Sequence, residues 1–274
     1  MDNHHKILVS MYSSLILWTL LFCGWGTSSM ISCWIVMELM NFIFIPWMMW
    51  SENDKYKVFI YFIMQAFASS IFVISLFMIN NGSFFTIVNI SSILFKLGSF
   101  PFHLWVIMTI EGLNWETSGT MLTIMKGLPY MILFFLPLKS NIIIICMIGL
   151  MVSLGGVSSN SLRSILSYSS INHTSWMVVT SLMSKWLMMA YFLIYSVMTL
   201  SFCYLMKRGN LFSFKQLKNS SMILIMTISI LNMSGIPPFM GFLPKLFTLK
   251  QMIQMNFILE SILFILLSII PVYM

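Results

Sequence analysis

The sequence predicts an all-α membrane protein with about ten transmembrane helices, two of them broken. Of the 274 residues, 59% are hydrophobic and only 8% are charged, and the mean hydropathy is +0.94. A soluble domain carries roughly 25% charged residues, so this chain lacks the polar surface that a water-soluble protein needs. The apolar residues also fall in repeated runs of about 20 residues, the length that crosses a bilayer. We therefore expect a single transmembrane domain over residues 1–274.

Hydropathy and helix-breaking residues place the individual spans. The first apolar run follows MDNHHK and lacks both a small-residue cleavage site and the Arg-rich character of a transit peptide. We therefore expect it to be retained as the first span. In chain order, the spans are expected near residues 7–24, 31–50, 57–78, 84–110, 117–136, 141–157, 165–182, 186–205, 222–249 and 256–274.

The spans at 84–110 and 222–249 are the two expected to be broken. They contain FKLGSFPFH at 95–103 and SGIPPFMGFLPK at 234–245. Proline removes a backbone donor and clashes with the carbonyl one turn earlier, and non-helical backbone at bilayer depth must be covered by protein or line a cavity. A lysine precedes the first break and another follows the second. Such paired interruptions indicate inverted repeats around a pathway near the membrane midplane.

The basic loop residues predict the orientation of the chain in the membrane. One side collects Lys6, Lys55, Lys57, Arg163, Lys207, Arg208, Lys215 and Lys218, and the other collects Lys139, Lys185 and Lys250. This bias places the N-terminus and the 206–220 loop on the cytoplasm-like side. The net charge of +7 is thereby explained by topology, and we expect no nucleic-acid partner.

Four charged residues fall inside the expected spans and are the strongest functional candidates. They are Glu38, Lys96, Lys126 and Lys245. A carboxylate at membrane depth needs a cation, a water cavity or a proton, and Asn41 lies on the same helical face as Glu38. Burial disfavours a charged amine and a nearby carboxylate favours it, so a lysine close to that balance can load or release a proton when its neighbour moves. The alternative is that these charges only anchor helices to one another or snorkel to the interface.

Two histidines are weaker candidates, and no cofactor motif is found. His103 follows the first break and His173 lies in LRSILSYSSINHTSW. Either can relay protons, although a hydrogen bond across helices is the interpretation that the sequence favours. The four cysteines have no C-x-x-C spacing, and the chain has no phosphate-binding glycine motif. We therefore expect no metal, nucleotide or flavin site and no redox chemistry in this chain.

Several motifs resemble one known family. They are WIVMELMNFIFIPW, FKLGSFPFHLW followed by EGLNW, LTIMKGLP, LRSILSYSSINHTSWM and SGIPPFMGFLPK, between residues 34 and 245. The chain resembles the NADH dehydrogenase subunit 2 family, the mitochondrially encoded antiporter-like membrane subunits of respiratory complex I. The final motif is shared with related cation/proton antiporters, whereas EGLNW and LxYSSIxH narrow the resemblance to this subunit.

The resemblance implies a proton-pumping unit of inverted repeats in the mitochondrial inner membrane. By motif, Glu38 resembles the family's paired glutamate, Lys96 its partner, Lys126 the central lysine and Lys245 the lysine of the second half-channel. The expected partners are neighbouring core membrane subunits and the lipid bilayer. The complex as a whole uses NADH, FMN, iron–sulfur clusters and ubiquinone, and we expect this chain to bind none of them. Family members usually carry a further helix after the position where this chain stops, so we expect a shortened C-terminus.

Two other functions remain open from the sequence. A standalone cation/proton antiporter would use the same charges for exchange without partner subunits. A structural scaffold would use them only to hold helices together, without a proton path of its own.

Overall fold

A computed structural model describes residues 3–52, 54–78, 83–136, 141–159, 161–209, 211 and 220–268. These residues form helices, whose bounds are α1 Asn3–Trp25, α2 Met30–Ser51, α3 Lys55–Phe77, α4 Ser83–Leu97, α5 Leu104–Ile110, α6 Trp115–Leu122, α7 Ile124–Phe135, α8 Asn141–Val152, α9 Leu162–Met183, α10 Lys185–Gly209, α11 Ser220–Ser234, α12 Phe242–Gln254 and α13 Ile258–Leu267. A 3-10 turn, Ser153–Ser158, follows α8.

Each expected span corresponds to one helix or to one interrupted pair, and both expected breaks are confirmed. Helix α4 ends at Leu97 and α5 begins at Leu104, while α11 ends at Ser234 and α12 begins at Phe242. Each break starts with a glycine in the left-handed region, Gly98 at φ 63° and Gly235 at φ 74°. Glycine adopts this left-handed conformation readily because it has no Cβ, and a left-handed residue ends a right-handed helix. Both helices therefore stop where the sequence predicts. Of the last span, residues 269–274 lie outside the described residues.

A third break was not predicted. The span expected at 117–136 consists of α6 and α7, separated at Thr123, whose φ is −109° and ψ is −80°. The Thr123 hydroxyl donates to the carbonyl of Gly119 at 2.7 Å. The expectation of one continuous helix here was therefore wrong.

Length and composition mark the chain as a multi-pass membrane protein. Five helical stretches in the described part are long and apolar enough to span a bilayer: Leu8–Trp25, Met30–Ser51, Lys55–Phe77, Trp115–Phe135 and Lys185–Gly209. Shorter apolar helices lie at Phe84–Leu97, Cys146–Ser158, Ile223–Ser234 and Ile258–Leu267. Large apolar side chains face outward, including Trp186 at 85% exposure and Phe77 at 74%, as expected for surfaces that meet lipid or other subunits. Lys139, Lys215 and Lys218 lie outside the described residues, and the orientation stays a prediction.

The helices of the chain group into two compact units. The first comprises Met1–Leu97 and Gly112–Pro137. At its centre is α7, which contacts α1, α2, α4 and α6. Of the stretch that contains α6 and α7, 83% is buried, which makes it the most enclosed of the long apolar segments. Any charge on α7 is therefore held among other helices rather than against lipid.

The second unit comprises Gly98–Glu111 and Leu138–Met274 and is organised around α9. This helix contacts α5, α8, α10 and α12, and most of its residues are buried although many are polar. Its hydroxyls donate to carbonyls of the preceding turn, for example Ser167 to Ser164 at 2.6 Å and Thr174 to Ile171 at 2.7 Å. A hydroxyl satisfied within its own helix needs no outside partner, so the serine-rich α9 can occupy an interior.

Candidate functional site

The first unit brings Glu38 and Lys96 together as an ion pair. Glu38 lies on α2 and Lys96 in the last turn of α4, and Lys96 Nζ donates to Glu38 Oε1 at 2.6 Å. The lysine side chain is 1% exposed and the glutamate 22%. Asn41 donates to the other carboxylate oxygen at 3.5 Å, and the Tyr61 hydroxyl donates to Asn41 at 3.2 Å. The pair thus belongs to one polar network, in which the Lys96 side chain is buried and the Glu38 side chain is partly exposed.

Polar groups continue from Lys96 along α4. Asn89 and Ser92 lie at helical spacing from Lys96 and are buried. Asn89 is fully buried, and neither polar atom of its side chain has a hydrogen-bond partner among the described residues. From α3, Gln65 donates to the Lys96 carbonyl at 3.4 Å. This polar stripe ends with α4 at Leu97.

Lys126 has a different environment. It lies in the first turn of α7, just after the break at Thr123, and is 4% exposed. Its Nζ has no hydrogen-bond partner within the part of the chain that the structure describes. A buried charge without a partner is costly, which distinguishes Lys126 from the paired Lys96. Such a group can accept and release a proton without breaking a protein contact.

Lys245 contacts the broken helix that precedes it. It lies in the first turn of α12 and is 3% exposed, and its Nζ donates to the carbonyl of Ser234 at 2.7 Å. Ser234 is the last residue of α11, so the ammonium sits at the negative end of that helix dipole. Within the break, the Gly241 N–H donates to the Asn232 side chain at 3.2 Å. A Cβ on Gly235 would lie only 2.6 Å from Lys245 Nζ. Glycine at the break therefore makes room for the lysine.

His173 is engaged on both sides of its ring. Nδ1 lies 3.0 Å from the Tyr191 hydroxyl on α10, and Nε2 lies 2.8 Å from the Met233 carbonyl on α11. A carbonyl only accepts, so Nε2 carries a proton, and in the neutral ring Nδ1 accepts from Tyr191. These contacts tie α9 to the helix end that holds Lys245. They support the cross-helix role, while a relay role stays a prediction.

His103 has a less specialised setting. It is the residue before α5, is half-buried, and stacks on Phe100 with ring centroids 6.2 Å apart and planes at 26°. Nothing in these contacts links it to the other candidates, and its proposed relay role stays a prediction.

Glu52 is a buried carboxylate that sequence reasoning missed. It is 5% exposed and accepts hydrogen bonds from the Asn114 N–H at 2.9 and 3.0 Å and from the Thr117 hydroxyl. In the sequence it stands at the end of an apolar run, beside Asn53 and Asp54, where a charge usually faces solvent. The one available signal was EGLNW, whose Asn114 is the residue that Glu52 contacts.

Comparison with known proteins identifies the protein family of this chain. The protein-family model described as "NADH:quinone oxidoreductase/Mrp antiporter, TM" matches residues 79–271, which is most of the chain. The chain belongs to this NADH:quinone oxidoreductase/Mrp antiporter family. Over 270 residues it is 32% identical to NADH-ubiquinone oxidoreductase chain 2 of Anopheles gambiae, covering 90% of this chain and 78% of the mosquito protein. The resemblance inferred from the motifs is thereby confirmed.

Solved structures of the NADH:quinone oxidoreductase/Mrp antiporter type share the fold. A chain of respiratory complex I from Thermus thermophilus superposes with a TM-score of 0.82 at 16% identity, covering 100% of this chain and 69% of its own. A chain of the Mrp complex from Dietzia sp. DQ12-45-1b gives a TM-score of 0.83 at 14% identity, covering 94% and 57%. The chain thus spans 78% of the mosquito relative but little more than half of the Mrp chain. The expected antiporter-like architecture is confirmed.

Proposed function

We propose that this chain is a proton-translocating core membrane subunit of NADH:ubiquinone oxidoreductase, respiratory complex I, in the mitochondrial inner membrane. The observation that carries the proposal is the buried charge set: an ion pair between Glu38 and Lys96, and a Lys126 ammonium without a described partner. Ionisable groups inside a membrane protein are costly and are retained for ion or proton pathways. The relation to the mosquito subunit supports placing such a pathway in complex I rather than in an unrelated transporter.

The proposed mechanism begins at the ion pair. A signal from the quinone end of the complex disturbs Glu38, and Lys96 loses the carboxylate that stabilises its charge. Lys126, which has no protein contact to break, then exchanges its proton with Lys96 or with Lys245, and water completes the path. Moving one charge through 100 mV takes about 2.3 kcal/mol. Breaking one buried ion pair changes the free energy by at least as much, so the loss of the Glu38–Lys96 contact can drive this movement.

In this proposal the redox chemistry belongs to other subunits. The relative is named for NADH and ubiquinone, and both substrates, with FMN and the iron–sulfur clusters, are expected to bind elsewhere in the complex. The chain's own partners would be neighbouring core membrane subunits and lipid, which its outward-facing apolar side chains suit.

Two measurements test the proposal. A native gel of detergent-solubilised membranes, stained for NADH oxidation, should place the chain in the large active band. Within that complex, Lys126→Met should lower the protons pumped per NADH oxidised while leaving assembly intact, because methionine fills the site without an unpaired charge. Lys250→Met, which removes an exposed lysine of α12, is the control and should pump normally. Unchanged pumping in Lys126→Met would remove the central role.

The similarity to the Mrp complex favours a second candidate, a cation/proton antiporter. In that case the isolated chain, reconstituted into vesicles, would dissipate a proton gradient when Na⁺ or K⁺ is added. The scaffold alternative predicts that each lysine replacement prevents assembly and never yields an assembled enzyme that fails to pump.

A further inference from the structure

A polar clasp joins the C-terminal end of α2 to the N-terminal end of α6. The Glu52 carboxylate accepts the Asn114 N–H on both oxygens, at 2.9 and 3.0 Å, together with the Thr117 hydroxyl. In return, the Asn114 side chain donates to the Ser51 carbonyl at 2.9 Å. We call these four residues the α2–α6 clasp.

The clasp satisfies both helix ends at once. The first N–H groups and last carbonyls of any helix lack partners within the helix. Ser51 ends α2, and Asn114 is the residue before α6, so each helix supplies the group that the other lacks. A carboxylate usually caps the start of its own helix from the third position. Here that position is Thr117, and the carboxylate comes from α2 instead, so the cap also fixes two separate helices to each other.

The two helices so joined carry the candidate charges of the first unit. Glu38 lies on α2, paired with Lys96. Helix α6 leads through the break at Thr123 into α7, where Lys126 lies in the first turn. Because no described residue binds Lys126 Nζ, the position of this ammonium depends on where α6 and α7 are held. The clasp is a contact that holds them.

We propose that Glu52 is a positioning residue, whose carboxylate fixes α6 to the end of α2 and thereby sets the place of Lys126 relative to the Glu38–Lys96 pair. This inference rests on the proposed function. Glu52 is 5% exposed, and its carboxylate accepts from the Asn114 N–H, from the Thr117 hydroxyl and, at 3.5 Å, from the Ser51 hydroxyl. It also lies at the positive end of the α6 dipole. A glutamine in its place keeps one acceptor oxygen but turns an NH₂ donor toward those donors, so the clasp loosens without a change of side-chain size.

The test compares Glu52→Gln with Glu116→Gln in the intact complex. Glu116 is exposed in the first turn of α6, so its replacement removes the same charge from the same helix end outside the clasp. Since small displacements of a transfer group lower rates steeply, we expect Glu52→Gln to reduce protons pumped per NADH by about twofold or more in the assembled enzyme. Glu116→Gln should pump normally. Thr117→Val removes one donor and should cause a smaller loss in the same direction.

The clasp also predicts non-additivity, which a general folding defect does not. Once Glu52→Gln has loosened the clasp, adding Thr117→Val should reduce pumping little further. The inference is overturned if assembled Glu52→Gln enzyme pumps normally, including the case in which only its yield falls. It is also overturned if the two changes act independently. Lys126→Met separates this result from the proposed function: if that variant fails to pump while Glu52→Gln pumps normally, only the clasp is rejected.

Discussion

The ion pair of α2 and α4 makes an asymmetric prediction. Glu38→Gln leaves the Lys96 ammonium, whose side chain is 1% exposed, without its carboxylate. Removing one partner of a buried pair costs about 3–5 kcal/mol. Lys96→Met instead leaves Glu38, which at 22% exposure can still be hydrated, so its cost should be lower, about 1–3 kcal/mol. The double replacement removes both charges and should cost less than Glu38→Gln alone.

A double-mutant cycle measures the difference. Titration of the solubilised complex with denaturant, followed by release of this chain, gives the free energy for each variant. We expect a coupling of about 3 kcal/mol between the two positions, near the upper end for residues in direct contact. A neutral hydrogen bond between membrane helices averages about 0.6 kcal/mol. A measured coupling near that lower value would refute the view that the two residues form a charged pair in the assembled protein.

Two further replacements probe the second break. Gly235→Ala places a Cβ against Lys245 Nζ. Residue 235 has a left-handed backbone with φ 74°, which alone should cost an alanine about 1–2 kcal/mol of stability. Thermal inactivation should show this loss, and Gly26→Ala, whose Cβ would meet only ordinary contacts, is the control. His173→Phe deprives the Met233 carbonyl of its ring donor and should cost about 1–3 kcal/mol. In the same assay His103→Phe, which keeps a ring to stack on Phe100, should lose less, and equal losses would contradict the cross-helix role of His173.

The sequence predicted those features that depend on local chemistry. A glycine followed within three residues by a proline stops each of the two helices, so the breaks after Leu97 and Ser234 could be located to within a residue or two. Single prolines did not break a helix in the same way, since Pro46 and Pro129 lie inside α2 and α7. Charges inside apolar runs are costly, so Glu38 and Lys96 stood out as functional candidates once each had been found in a span. Their contact itself spans 58 positions of the chain and came from the family resemblance.

The features that were missed depend on tertiary structure. Thr123 lies between Gly119 and Gly127 in an apolar run, and no residue between those two glycines forces a break. Glu52 looks like a solvated charge until α6, more than 60 positions later, brings two donors to it. Burial of a polar residue by a distant helix leaves no periodic pattern in the sequence, so hydropathy alone could not find either feature.

The three buried lysines differ in what holds them, and this difference constrains the proposed mechanism. Lys96 contacts a carboxylate, Lys245 a helix-terminal carbonyl, and Lys126 no described partner. A carboxylate favours the charged lysine strongly, a carbonyl at a helix end favours it less, and an apolar setting disfavours it. In the proposed scheme, Lys96 can pass on its proton only once Glu38 has moved, because the two form a buried ion pair. Lys126 acts in this scheme as a transient carrier, which is why the contacts that place it, rather than contacts to its ammonium, should govern the rate of transfer.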